Sequence, residues 1–134
     1  MNDNLNKLYN IAFDLIDVIL SKKEAIVPFT VTLEIGKTKP TVSMYEPFAK
    51  STTEQLKIIR KDLRKMAENQ VIKAMCLGYD VHVIDPRTNK KTDAILFELA
   101  DEESGTTNIY IPYNFNDEDI IKKPFQISSN QKYF

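Results

Sequence analysis

The chain contains one histidine and one cysteine, and both fall between Ala74 and Tyr113, the segment richest in polar and aromatic residues. His82 stands two residues from Asp80 and, with Tyr79 and Asp93, forms the most enzyme-like grouping. An imidazole and a carboxylate on neighbouring strands could pass a proton. The residue types alone equally suit a surface histidine near a hairpin, and no nucleophile elbow or triad signature accompanies them. Cys76 lies in the apolar run Ala74, Met75, Cys76, Leu77 and reads as a buried thiol. One cysteine and one histidine fall short of the four ligands of a structural zinc site, so neither metal nor cofactor is expected. Gly36, Gly78 and Gly105 are too scattered to cradle a phosphate. The acidic runs Asp101–Glu103 and Asp117–Asp119 lack calcium-loop spacing and read as solubilising loops.

Two other groups of residues suggest recognition instead. Lys57, Arg60, Lys61, Arg64 and Lys65 recur along one stretch as a basic stripe, which reads first as the solvated face of a helix and otherwise suits an acidic protein partner. They lack the interleaved aromatics of a nucleic-acid surface, and the net charge of -1 gives no overall attraction to a polyanion. Tyr110, Tyr113, Phe115, Phe125, Tyr133 and Phe134 make the C-terminal third rich in aromatics, which serve well as interface anchors.

Local sequence defines the elements that must position these groups. Leu5, Leu8, Ala12, Leu15, Ile16 and Ile19 recur at steps of three and four, predicting an amphipathic helix over Asn4–Leu20 capped by Asn2 or Asp3. Phe29 to Ile35 alternates apolar and polar residues, predicting a strand with Phe29, Val31, Leu33 and Ile35 inward. Gly36 to Pro40 supplies a turn and Thr41 to Tyr45 a short return strand. Ser51 and Glu54 match a capping box, and a helix with Leu56, Ile59, Leu63, Met66 and Ala67 on its core face runs from there to Glu68 or Asn69. Three strands follow: one carrying Tyr79, Val81 and Val83 on one face with Asp80, His82 and Ile84 on the other, then Thr92–Ala100, then Thr107–Pro112.

This order predicts an α+β fold: helix, two strands, helix, three strands, with an antiparallel sheet and both helices packed on one face. Residues 1–113 form a single domain of ordinary size, and 114–134 an irregular, partly docked tail with a helical turn near Asp117 to Lys122. The element order is similar to that of roadblock-like and profilin-like domains, a likeness of architecture that carries no function.

Pro28-Phe29 opening a strand, the Gly36 turn, the helix before an Ala74 strand, Asp85-Pro86 in a hairpin, Thr92-Asp93-Ala94 and Pro112-Tyr113 together resemble a widespread family of small uncharacterised bacterial proteins. The resemblance covers most of residues 5 to 113 and implies a bacterial cytosolic protein without an assigned reaction. No uncharged apolar run nears the eighteen residues of a membrane span, and Asp3, Asp14 and Asp17 interrupt the N-terminal apolar stretch, so a cytoplasmic protein with no membrane partner is expected.

The leading expectation is a non-enzymatic protein–protein interaction module, immunity-like or regulatory, binding another protein or a second copy of itself through an open sheet face, a sheet edge or the tail. The basic stripe with Tyr113, Phe115 and Phe125 are its interaction candidates. The alternative is a small-ligand-binding protein or enzyme with a pocket between sheet and helices, presenting Asp80, His82, Asp93 and Tyr110.

Overall fold

The structure, a computed structural model, describes residues 1–134. Its elements run α1 (Asp3–Ser21), β1 (Phe29–Glu34), β2 (Thr41–Met44), α2 (Thr52–Glu68), β3 (Ile72–Asp85), β4 (Lys90–Asp101), β5 (Gly105–Tyr113) and β6 (Phe125–Ser128). The six strands form one open sheet in the order β2-β1-β3-β4-β5-β6, each antiparallel to its neighbours.

Both helices begin where side chains supply the missing acceptors. Asn2 accepts the Leu5 N–H at 3.0 Å, and Ser51 accepts the Glu54 N–H at 3.1 Å. The Glu54 carboxylate reaches the Lys50 N–H at 3.3 Å, one residue outside the expected capping box.

The helices lie on opposite faces of the sheet, not on one. Leu5, Leu8, Ala12, Ile16 and Leu20 of α1 pack on Phe29, Val31, Leu33, Ala74, Cys76, Ile95, Phe97, Leu99, Ile109 and Ile111. Leu56, Ile59 and Leu63 of α2 pack instead with Met75, Leu77, Tyr79, Leu96 and Ala100, the alternate residues of the same central strands. Every residue from Ala74 to Tyr79 and from Ala94 to Asp101 is buried, which period-two alternation does not allow a one-faced sheet. A strand apolar at consecutive positions requires cover on both sides.

Two further expectations change. Ile35 is not inward: a register shift between Leu33 and Glu34 ends the regular pairing, and Ile35 emerges 52% exposed. The segment after Tyr113 is irregular only in part. Instead of a helical turn near Asp117 to Lys122, the chain loops back so that Ile121 bridges Tyr113, and then adds β6 along β5. Burying Phe115, Ile120 and Ile121 against the α1-side core favours this extended return. The sheet therefore continues beyond residue 113.

Candidate functional site

The histidine end of the sheet assembles three of the four ligand candidates. His82 and Asp93 are direct cross-strand partners, with Nδ1 and Oδ1 2.6 Å apart. Asp80 shares their face and accepts a hydrogen bond from the Tyr113 hydroxyl at 2.9 Å. Partial burial raises the Asp80 carboxyl above its ordinary value despite that bond, and burial together with Asp80 pushes the Tyr113 phenol upward. The His82 side chain is 87% exposed and that of Asp93 49%, so their pair is solvated and contributes about 0–1 kcal/mol. Tyr110 projects from the opposite face, stacked on Phe125 at 5.0 Å between ring centroids. The layers between sheet and helices, where the alternative reading needs a pocket, are filled by the two core clusters.

The basic stripe divides. Lys57, Lys61 and Lys65 are exposed, whereas Arg60 and Arg64 turn inward. Arg60 Nη2 donates to Glu98 Oε2 at 2.7 Å and to the Tyr79 hydroxyl at 2.8 Å; Tyr79 donates to Glu98 Oε2 at 2.5 Å, and Tyr133 to Oε1 at 2.5 Å. Glu98 is buried at 1% exposure, and these donors offset the desolvation cost of placing a carboxylate there. Burial raises both the Tyr79 and Tyr133 phenols, and Glu98 adds to it; burial acts to lower Arg60, but the Glu98 hydrogen bond and charge outweigh it. Both phenols thus stay protonated as donors. The donors reach Glu98 on β4 from α2, β3 and the C-terminal segment, so this cluster joins those parts of the chain.

What it fastens is the C-terminus. Arg64 donates to the Lys132 carbonyl at 2.7 Å and to the Gln131 side chain at 2.6 Å, and its guanidinium lies over the Tyr133 ring at 5.1 Å. Tyr113, Phe115 and Phe125 are likewise occupied within the chain. Tyr113 is buried and packs on Phe115, while Phe125 lies between Tyr110 and Arg87, whose guanidinium is 5.2 Å from its ring centroid. Arg87 also donates to the Lys123 carbonyl at 2.6 Å. Charge and aromatics placed among the interaction candidates therefore hold the sixth strand and the tail onto the sheet. Sequence reasoning named Tyr133 only as a C-terminal aromatic and passed over Glu98. The available signal was a lone carboxylate in the apolar run Ala94–Ala100, which must be paired wherever that run is buried.

The sheet ends in two open edges, β6 and β2, and the β2 edge carries the apolar margin. Tyr45 N–H donates to the Pro28 carbonyl at 2.9 Å, so by antiparallel alternation Thr41 and Ser43 direct their backbone groups toward β1. Those of Val42 and Met44 point away from the sheet, where no strand follows. Their side chains share the α1 face, since Val42 pairs with Val31 and Met44 with Phe29, and they are 43% and 50% exposed. Lys7 Nζ reaches the Thr38 carbonyl at 3.3 Å, tying the first half of α1 to the turn that precedes β2.

No helix is long and apolar enough to cross a membrane. Comparison with protein-family models, curated proteins and solved structures finds no match for this chain.

Proposed function

We propose that the protein is a cytosolic, non-enzymatic interaction module that receives a partner's extended segment along β2, in the manner of an immunity-like or regulatory protein. The observation that carries this reading is the β2 margin: outward backbone groups on Val42 and Met44 beside half-exposed apolar side chains. Added strands gain affinity from main-chain hydrogen bonds and specificity from alternate side chains. The ionisable clusters support the same reading, because Glu98, Arg60, Arg64 and Tyr133 are spent on holding the fold together.

Met44→Pro tests it. The substitution removes an N–H that points out of the sheet, leaving the β1 ladder its donors. Bait protein carrying Met44→Pro is expected to melt within a few degrees of the wild type and to lose proteins that wild-type bait captures from host extract. Equal capture by both baits would remove β2 as the recognition edge.

A further inference from the structure

We propose that the occupant of the β2 edge is a second copy of this chain, paired antiparallel about a two-fold axis through Ser43. The inference rests on reading β2 as a strand-accepting edge and adds the partner and the register.

A two-fold axis perpendicular to the sheet keeps each face continuous, so residues directly opposite must come from the same face of β2. Even residues then oppose even, and odd oppose odd. Of the registers that satisfy this, two keep three of the four residues Thr41–Met44 paired: one centred on Val42, the other on Ser43. Centring on Val42 sets Met44 against Pro40, which has no N–H to give. Centring on Ser43 sets Val42 against Met44 of the other copy, twice. Since these are the residues whose N–H and C=O point outward, each pair exchanges two hydrogen bonds, making four in all. The same pairing stacks Val42 on Met44 across the junction, on the face where both are half exposed.

Charge favours the same arrangement. β2 carries no ionised side chain, and its two ends differ in sign: exposed Lys39 precedes it, exposed Glu46 follows it, and neither makes an ion pair within the chain. Antiparallel pairing about Ser43 sets Glu46 opposite Pro40 of the other copy, next to its Lys39, at both ends of the junction. Parallel stacking would set like charges together instead. Pairing β2 with the far edge β6 gives a head-to-tail contact that builds rings or filaments of more than two copies, whereas the two-fold pairing closes at two.

The test uses the full 134-residue chain, whose Cys76 is buried and so does not compete for a surface disulfide. Residues at the axis face themselves as a non-hydrogen-bonded pair with Cα atoms roughly 4.5 Å apart, within disulfide reach. Ser43→Cys is expected to give a covalent dimer on mild oxidation. Thr41→Cys, on the same face but displaced by about 14 Å along the pair, is expected to give none. In sedimentation, the mass should rise with concentration toward twice the monomer value and stay at the monomer value for Met44→Pro. Cross-linking through Val42→Cys in place of Ser43→Cys overturns the register. A monomer at every concentration with no Ser43→Cys cross-link, or species that grow beyond two copies, overturns the second-copy assignment. If monomeric protein nonetheless loses a captured partner on Met44→Pro, the strand-accepting edge stands and only the identity of its occupant fails.

Discussion

At the scale of single residues, the fold turns on a place where a side chain is absent. Gly78 lies between Phe29 on β1 and Phe97 on β4, its direct partners on either side. The two rings lean over it edge to face, 6.0 Å apart at 82°. A Cβ at residue 78 would sit 2.2 Å from Phe29 Cζ, and Phe29 is fully buried, so the ring has nowhere to go. Gly78→Ala is therefore expected to cost about 3 kcal/mol, the upper range for overpacking, read as a lowered urea midpoint. In a Phe29→Leu background the same change should cost clearly less, because the obstructing ring is gone. An equal cost in both backgrounds would place the penalty elsewhere. A glycine inside a strand pattern marks either a bulge or a close backbone approach; which of the two, and which ring, depends on the β1–β3 register, which the sequence does not show.

At the scale of elements, the C-terminal segment is held by side chains. No backbone–backbone hydrogen bond ties residues 129–134 to the rest of the chain. Tyr133 to Glu98 and Arg64 to Gln131 and Lys132 do the holding. Tyr133→Phe keeps the ring and removes one donor to a buried carboxylate, so a loss of about 1.5–3 kcal/mol is expected in urea melts, the range for hydrogen bonds to charged groups. Arg64→Ala should instead speed carboxypeptidase removal of the last residues, with a smaller effect on the midpoint. If Tyr133→Phe is neutral, Glu98 does not depend on the tail.

The elements themselves were legible from periodicity and caps. Asn2 and Ser51 start the helices where their side chains predict, and the β3–β4–β5 meander follows the turn residues. The tail was not legible. Phe125–Ser128 is four residues long with mostly exposed side chains, and its strand character comes from the β5 edge it joins rather than from its own pattern. The candidate site was legible by type more than by place. Arg60 and Arg64 were recognisable as members of the basic stripe, yet their inward turn is set by Glu98 thirty-eight and by Gln131 sixty-seven residues away.

For the whole molecule, the decisive feature is that the sheet has two covered faces. Period-two alternation at Tyr79, Val81 and Val83 describes the outer half of β3, where one face meets solvent; the continuous apolar runs before it and along β4 describe the half that both helices cover. That double cover buries protons as well as carbon. Burial raises Tyr9, Tyr79, Tyr113, Tyr133 and Cys76 above their ordinary values, Glu98 adding to it at Tyr79, Tyr133 and Cys76, and Asp80 at Tyr113. In the unfolded chain the thiol titrates near about 8.5 and the phenols near about 10. Above those values the unfolded state has released protons that the folded state retains, so the unfolded state binds fewer and stability falls as pH rises. The contribution is fully present at neutral pH. Its loss should begin weakly above about pH 8.5 and steepen above about pH 10, each such group adding at most about 1.4 kcal/mol per pH unit to the slope. Urea melts from pH 7 to 11 measure the slope, and Tyr133→Phe should make it shallower by one group. Phenolate absorbance supplies an independent readout: these four tyrosines should ionise together with unfolding, and their smooth titration near pH 10 in the folded protein would contradict their enclosure by the two helical layers and the tail.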